Sequence, residues 1–174
     1  MQQKIRWGIV GLGNIAHHFV KDLLLIETAE ITAVASRTLN KAEEFAQEYE
    51  IKHTFGSYEE LFKCHEVDVI YVATPHTFHA KLAIDAMYYG KHVLCEKPLG
   101  VNRVEVEKMI AAAKENDVFL MEALWSRFNP SILKITELIT EGVIGGIKYI
   151  NADFAFPALH RDVENRLLNP NLAG

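Results

Sequence analysis

The sequence has few cysteines, no excess of positive charge and no long apolar stretch. Cys64 and Cys95 are the two cysteines among 174 residues, too few for a disulfide framework, so a reducing, cytoplasmic location is expected. The net charge of −5 argues against nucleic acid or an anionic membrane as a partner, because both repel an acidic protein. No run of about 18 apolar residues occurs, so no membrane-spanning helix is predicted.

Short apolar runs alternate with segments of helical spacing between residues 5 and 121. Strands are predicted at 5–10, 31–35, 53–55, 67–72, 92–95 and 118–121. Helices are predicted at 15–25, 40–49, 57–62, 78–89 and 102–114. Asn40, Ser57 and Asn102 are their predicted N-caps, and Ser57 with Glu60 has the pattern of a capping box. One side of the first helix is predicted to carry Ile15, Phe19, Leu23 and Ile26. Near-continuous apolar strands between helices indicate a parallel sheet covered on both faces. The predicted fold class is therefore α/β, with a doubly wound parallel sheet of the Rossmann type.

The rhythm changes after Met121. An aromatic-rich connector is followed by a predicted helix at 131–140 and a partly alternating strand at 147–156. A single strand cannot bury its own face. The sequence therefore predicts one domain over residues 1–122 and the beginning of a second, α+β domain over residues 123–174.

A glycine-rich turn follows the first predicted strand, with the spacing Gly11-x-Gly13-x-x-Ala16. In a dinucleotide-binding turn the first glycine makes the tight bend, the second lets backbone approach the pyrophosphate, and the third small residue packs helix on strand. The amides at the start of the next helix bind phosphate. Cofactor contacts are therefore predicted for Gly11, Gly13, Asn14 and Ile15.

The second predicted strand is followed by Ser36-Arg37-Thr38, where NAD-binding proteins usually carry an acidic residue. A guanidinium with adjacent hydroxyls suits a 2′-phosphate, since its fork of donors matches phosphate oxygens. The sequence predicts NADP as the cofactor, with use of NAD left open. A merely solvated role for Arg37 is the alternative.

Glu96-Lys97-Pro98 follows the fifth predicted strand. Ligands bind outside the carboxyl ends of the strands in an open parallel sheet, so Lys97 is predicted to face the cofactor crevice. Its ammonium can stabilise a developing alkoxide or, with a lowered pKa, take a proton. Glu96 is expected to hold the lysine in place, and the peptide bond before Pro98 is a candidate for the cis form. Lys97 is the predicted catalytic residue and, with Glu96, a cofactor contact.

Thr74-Pro75-His76 and His79 follow the fourth predicted strand and are also predicted to reach the crevice as cofactor contacts. The two histidines are three residues apart and can share a helix face. A catalytic role and that of ordinary satisfied histidines are both left open. Further ligands at suitable spacing are lacking, so no metal site is predicted.

The connector after the sixth predicted strand contributes Trp125 and Arg127 as predicted cofactor contacts. Trp125, Phe128, Phe154 and Phe156 can line an apolar substrate pocket or form a domain-interface core, because aromatic residues dominate interfaces of both kinds. Arg127 can bind an anion of substrate or cofactor, or pair with an acid.

Together these motifs resemble the Gfo/Idh/MocA oxidoreductase family, and most of all its branch of dimeric dihydrodiol dehydrogenases and NADP-dependent xylose dehydrogenases. The motifs, in order, are Gly11-x-Gly13-x-x-Ala16, Ser36-Arg37, Thr74-Pro75-His76-x-x-His79, Glu96-Lys97-Pro98 and Met121-Glu122-Ala123-x-Trp125-x-Arg127-Phe128-x-Pro130.

The resemblance implies an NADP-binding Rossmann domain followed by a substrate domain that often forms a dimer. It implies hydride transfer between the nicotinamide and a sugar, polyol, cyclic diol or related carbonyl compound. Lys97 would match the family's catalytic lysine. Trp125 and Phe154 would match aromatic residues near the nicotinamide and the substrate, which completes a predicted substrate pocket of Lys97, Trp125 and Phe154.

Members of this family carry a second catalytic group, a tyrosine or a histidine, on a helix that begins just beyond a glycine-rich stretch. Residues 169–174 resemble the residues that lead into that stretch. The chain is therefore expected to be a fragment that binds cofactor with little turnover. Two alternatives are a non-catalytic, redox-sensing NADP-binding module and, less favoured because of Lys97, a methyltransferase with a glycine loop.

Overall fold

The protein is described by a computed structural model that covers residues 4–155, 157 and 169. Its centre is a six-stranded sheet, ordered β3-β2-β1-β4-β5-β6, in which every neighbouring pair is parallel. The strands are β1 Ile5–Val10, β2 Ala29–Ala35, β3 His53–Phe55, β4 Val69–Val72, β5 His92–Glu96 and β6 Leu120–Ala123. This order confirms the predicted doubly wound α/β fold.

Six α-helices lie within the described residues. They are α1 Asn14–Leu23, α2 Leu39–Tyr49, α3 Tyr58–Phe62, α4 His79–Tyr88, α5 Arg103–Glu115 and α6 Pro130–Thr140, with short 3₁₀ helices at His76–Phe78 and Trp125–Phe128. Asn102 caps α5 as predicted, since its side-chain oxygen accepts a hydrogen bond from the Glu105 amide.

Two apolar cores lie on the two faces of the sheet, because successive strand residues point to opposite faces. Ile9 of β1 and Tyr71 of β4 belong to the core that α1 and α2 cover. Their neighbours Val10 and Val72 belong to the core that α3, α4 and α5 cover. Helices therefore pack on both faces, as the apolar strands predict.

Three local predictions about helices are wrong in part. The buried side of α1 is formed by Ala16, Val20 and Leu23, whereas Ile15 is 42% exposed, because the small Ala16 is what lets α1 pack closely on the sheet. Helix α2 begins one residue before Asn40, after an extended Thr38. Ser57 stands at the N-cap of α3 but its side chain makes no capping hydrogen bond.

The predicted strand at 147–156 is also wrong, as far as residues 147–155 describe it. These residues have no regular secondary structure, and Phe154 is 89% exposed. A strand is stabilised by a neighbouring strand, and no described segment pairs with this one. Phe156 and most of the residues after it lie outside the described residues. The division of the chain at residue 122 stays a prediction.

Candidate functional site

Five loops that carry predicted site residues lie at one edge of the sheet, where the parallel strands end. They follow β1, β2, β4, β5 and β6. β1 lies between β2 and β4, so the chain winds outward from β1 in both directions. Ligands of open α/β sheets bind at such a switch point.

The two glycines of the loop after β1 have different surroundings. Gly11 has φ +89, and a Cβ there would lie 2.7 Å from the carbonyl carbon and oxygen of Ala73. Only glycine tolerates this backbone and this close approach. Gly13 has φ −97, and a Cβ there would meet no atom within 4 Å among the described residues. Gly11 therefore shapes the fold, and Gly13 leaves open space above the loop.

Helix α1 begins directly at that open space. Gly13 is its N-cap, and no side chain makes a capping hydrogen bond there. Asn14 and Ile15 are exposed in its first turn, which has no acidic residue. The free amides and the positive end of the helix dipole suit an anion at this position.

The loop after β2 is anchored at its first residue and exposed after it. Ser36 is buried, and its amide donates to the carbonyl oxygen of Phe55. Arg37 and Thr38 are exposed, and Arg37 forms no ion pair within the described part of the chain. Burial raises the pKa of Tyr58, and the charge of Arg37 partly opposes that rise. The guanidinium thus lies near the phenol of Tyr58 and is not paired with a described carboxylate.

The turn after β5 is held by Glu96 through its backbone. The Glu96 carboxylate accepts from the backbone amide of Lys97 at 3.2 Å and from the hydroxyl of Tyr71 at 2.7 Å. The ammonium of Lys97 is exposed and makes no ion pair with a described residue. The expectation that Glu96 holds the lysine is corrected in one respect, because it binds the backbone rather than the ammonium. The Lys97–Pro98 peptide bond is cis.

Two further carboxylates hold the rest of this turn. Glu122, in β6, accepts from the Leu99 amide at 2.8 Å. Glu105, in the first turn of α5, accepts from the Val101 amide at 3.1 Å. Burial, helped by the nearby carboxylates, raises the pKa of the Cys95 thiol, so this buried cysteine stays protonated and belongs to the core.

The loop after β4 places its residues differently from the prediction. His79 is completely buried, with its ring nitrogens 2.8 Å from the Pro98 carbonyl oxygen and 2.9 Å from the Thr74 carbonyl oxygen. Both ring nitrogens thus contact carbonyl oxygens of the protein, and a cofactor contact of His79 stays a prediction. The His76 ring lies edge-on to His79, 5.6 Å between centroids. Thr74 Oγ1 is buried without a hydrogen-bond partner among the described residues, although Pro75 beside it stays part-exposed.

Of the aromatic residues predicted to line a substrate pocket, the described ones, Trp125, Phe128 and Phe154, are open to solvent. Trp125 and Arg127 lie in the 3₁₀ helix that follows β6, at the same edge as Lys97, and Trp125 is 66% exposed. Phe154 lies in the segment without regular structure. The role of these side chains in binding a substrate stays a prediction.

Sequence reasoning missed two residues of the site, Tyr71 and Glu122. Tyr71 lies within a buried apolar strand, where a phenol needs a partner for its hydroxyl. Glu122 lies in β6 beside β5, and its charge in a half-buried strand was the available signal. Naming their partners required knowing that β4, β5 and β6 are adjacent.

Two searches of the described residues were negative. They hold no group of three or more metal-ligating side chains. They also include no helix long and apolar enough to cross a bilayer.

A model of the oxidoreductase family Gfo/Idh/MocA, described by its NAD-binding Rossmann fold, matches residues 5–124. The chain belongs to this family. The match covers the whole sheet and the loops after β1, β2, β4 and β5, including the turn that carries Lys97, and it ends just before the 3₁₀ helix at Trp125–Phe128.

Curated relatives of the chain include several dihydrodiol dehydrogenases. Trans-1,2-dihydrobenzene-1,2-diol dehydrogenase of Mus musculus is 46% identical over 158 residues, which are 90% of this chain and 47% of the relative. The protein of the same name from Danio rerio is 47% identical over 152 residues, 86% of this chain and 46% of the relative. The chain thus spans about half the length of the curated relatives it matches.

Solved structures with the same fold include reductases and dehydrogenases. KijD10, a 3-ketoreductase from Actinomadura kijaniata in complex with NADP and TDP-benzene, has a TM-score of 0.76 and 32% identity, covering 81% of this chain and 43% of that one. Myo-inositol 2-dehydrogenase from Lactobacillus plantarum has a TM-score of 0.76 and 26% identity, covering 83% of this chain and 43% of that one.

Proposed function

We propose that this chain is the cofactor-binding part of an NADP-dependent oxidoreductase that transfers hydride between the nicotinamide and a CH–OH carbon. The observation that carries the proposal is the position of Lys97. Its free ammonium stands on a turn held by Glu96 and Glu122, at the same sheet edge as the glycine loop after β1. Because the chain belongs to an oxidoreductase family, hydride transfer is the reaction that Lys97 and the glycine loop together favour.

The loop after β1 supports the dinucleotide assignment. The open space at Gly13 gives a pyrophosphate access to the backbone, and the amides of Asn14 and Ile15 face it without a competing acidic side chain in the first turn. Phosphate groups are favoured there by the helix dipole and by free donors. Thr74 Oγ1 supplies a hydroxyl that lacks a partner among the described residues.

The loop after β2 supports NADP over NAD. Arg37 and Thr38 are exposed where an NAD-specific protein would place a carboxylate for the ribose diol. A carboxylate would repel a 2′-phosphate, whereas a guanidinium donates charge-assisted hydrogen bonds to it. NADP in the KijD10 complex agrees with this preference.

Lys97 would act on the hydroxyl oxygen of the substrate. Bound NADP supplies or accepts the hydride. In the oxidation direction the hydroxyl would lose its proton to a basic group while the carbon gives up hydride and the C–O bond becomes a carbonyl; an ammonium beside the oxygen would stabilise the alkoxide charge that develops between these two events, in a site with little water. The held turn keeps the ammonium in place before the reaction, which lowers the cost of orientation.

The names of the relatives favour a ring substrate with neighbouring hydroxyl groups. They describe a dihydrobenzene diol dehydrogenase, an inositol dehydrogenase and a 3-ketoreductase, and the diol and the inositol carry adjacent hydroxyls on a ring. Trp125 and Phe154 would provide apolar walls, and the remainder of a longer protein would provide the second proton-transfer group. A domain boundary near residue 122, assembly as a homodimer and a cytoplasmic location belong to the same proposal.

The test compares Lys97→Met with the unchanged protein. Methionine keeps most of the apolar stem and removes the charge, so NADP binding to the 174-residue chain should persist. In the full-length protein the same change should lower kcat by at least about a hundredfold, as expected when a transition-state charge contact is lost. Lys108→Met, in an exposed part of α5, is the matched control.

Turnover is measured over aldoses, inositols and cyclic diols with the full-length protein. Unchanged kcat in Lys97→Met would contradict the catalytic assignment. Tight NADP binding without turnover on any of these classes would instead favour a redox-sensing module. Turnover by the 174-residue chain at the full-length rate would contradict the need for a second proton-transfer group.

A further inference from the structure

His79, at the start of α4, joins two loops of the sheet edge through one buried ring. Nδ1 lies 2.8 Å from the Pro98 carbonyl oxygen, and Nε2 lies 2.9 Å from the Thr74 carbonyl oxygen. The residue is completely buried. Thr74 follows β4 and Pro98 follows β5, and these strands are direct neighbours.

Both partners of the ring are acceptors. A neutral imidazole carries one N–H, so it can donate to one carbonyl only and would turn a lone pair toward the other. A buried acceptor left unpaired costs free energy, and so does the repulsion between two acceptors. A ring that donates from both nitrogens carries one more proton and is the imidazolium cation, whose two charge-assisted hydrogen bonds satisfy both carbonyls.

The Pro98 carbonyl is a critical point in the turn that carries Lys97. Proline has no N–H, so its carbonyl is the one backbone group by which this residue can be held. Side chains already hold the turn on either side, with Glu96 on the Lys97 amide and Glu122 on the Leu99 amide. His79 is the side chain that connects this turn to the loop after β4.

We propose that His79 is a positioning residue for Lys97: it donates from both ring nitrogens and fixes the Lys97–Pro98 turn against the backbone of Thr74. This rests on the proposed function insofar as Lys97 is taken as the group that meets the substrate. His79 itself touches neither cofactor nor substrate. It sets the distance between the ammonium and the loop at the switch point between β1 and β4.

Two substitutions separate the donors from the ring volume. His79→Phe keeps a flat ring of similar size and removes both N–H groups. His79→Gln keeps donors at one end only, so it can restore one of the two hydrogen bonds. Met87→Ala, later in the same helix and completely buried, lowers stability without removing either bond. His18→Gln, on the exposed side of α1, controls for loss of a histidine.

The first measurement is made on the 174-residue chain by NMR. Two slowly exchanging ring N–H signals from His79 are expected, and a single ring N–H would overturn the double-donor proposal. The exchange of the Leu99 amide with solvent is then compared in His79→Phe and Met87→Ala, under conditions where both have the same free energy of unfolding. It should be about fivefold to tenfold faster in His79→Phe, because that is the change that loss of one ordinary hydrogen bond brings. Equal exchange in the two variants would overturn the tie between the loops.

The second measurement is steady-state kinetics of the full-length protein. Displacing a positioned group by a fraction of an ångström to an ångström lowers turnover by up to about a hundredfold. His79→Phe should therefore lower kcat by about tenfold to a hundredfold with a far smaller change in the KM for NADP. The kcat of His79→Gln should lie between those of His79→Phe and the unchanged protein. A kcat that falls only as far as in Met87→Ala would mean that His79 is merely structural.

The two proposals fail in different ways. If the unchanged full-length protein shows no hydride transfer, the proposed function is wrong. The ring N–H signals and the Leu99 exchange rates still test whether His79 links the Lys97–Pro98 turn to the Thr74 backbone. If the unchanged protein is active and His79→Phe matches Met87→Ala in both measurements, the positioning role of His79 is wrong and the proposed function stands.

Discussion

At the scale of single residues, the glycine loop after β1 contains two glycines that are needed for different reasons. Gly11→Ala should destabilise the fold by roughly 1–3 kcal/mol or more, because a side chain at φ +89 is strained and would press on the Ala73 backbone. Gly13→Ala should leave stability nearly unchanged and weaken NADP binding, because its Cβ would enter the open space above the loop. Urea denaturation and NADP titration of both variants check this pair.

The two alanine variants serve as controls for each other, since they make the same chemical change two residues apart. Equal losses of stability in both would contradict the structural difference between the two positions. Undiminished NADP binding in Gly13→Ala would mean that the pyrophosphate lies elsewhere.

Arg37 provides the residue-level test of cofactor preference. Arg37→Ala should weaken NADP binding by roughly 1.5–3 kcal/mol, the usual worth of a hydrogen bond to a charged group, and should leave NAD binding almost unchanged. Dissociation constants for both cofactors measure the difference. Lys21→Ala removes a positive charge at the other end of α1 and should affect neither cofactor. Equal losses for NADP and NAD in Arg37→Ala would show that the 2′-phosphate is bound elsewhere.

At the scale of elements, an ion pair ties the start of β1 to the residue before β4. The Asp68 carboxylate accepts hydrogen bonds from the backbone amide and from Nε of Arg6, each at 2.9 Å. The side-chain hydrogen bond from Arg6 is the main cause that holds the pKa of Asp68 below its ordinary value of 3.8. The folded chain therefore binds the Asp68 proton less readily than the unfolded chain does.

The pH dependence of stability follows from that difference. The contribution of Asp68 is fully present above pH 3.8 and is lost as pH falls through the lower folded pKa, because protonation then favours the unfolded chain. Asp68→Asn should be less stable than the unchanged chain at neutral pH, and the gap should close under acid conditions. Free energies of unfolding from urea titrations between neutral and strongly acid pH measure it. A gap that stays constant with pH would contradict the ion-pair assignment.

The sequence predicts the elements better than their ends and faces. Alternating apolar strands and helices identify all six strands of the sheet, because burial on both faces leaves a clear apolar signal. The failures are local. The packing side of α1 depends on which residue is small enough to meet the sheet, as Ala16 is. Ser57 has the pattern of a capping residue without making the bond, since a pattern does not fix a rotamer.

At the scale of the molecule, the folded core is complete before the chain reaches α6. One apolar core draws on residues up to Leu120 and the other on residues up to Ala123. Within the described residues beyond Leu124, no side chain is buried. The described residues after Leu124 therefore add little of the apolar burial that stabilises a fold.

A truncated chain tests this directly. Residues 1–124 should unfold as cooperatively as the 174-residue chain, with a denaturation midpoint that is nearly the same. Urea titrations followed by circular dichroism compare the two lengths. A large fall in the midpoint would show that residues after 124 contribute to the core.

The sequence predicts those site residues that belong to a local motif at the end of a strand. It does not predict the side-chain contacts that join one strand to another. The glycine loop, Arg37 and Lys97 each follow a strand end, so the sequence locates them at one edge of the sheet. The supporting contacts of Tyr71, Glu122 and His79 join segments that are 19 to 25 residues apart in sequence. Only the strand order brings these partners together.

The strand order also separates cofactor choice from chemistry. Arg37 follows β2 and Lys97 follows β5, with β1 and β4 between them, a separation of roughly 14 Å at about 4.8 Å per strand. Effects of substitutions more than about 10 Å apart usually add. On the roles proposed for Arg37 and Lys97, exchanging the residue at position 37 should therefore change the coenzyme preference and keep the reactivity of the lysine turn.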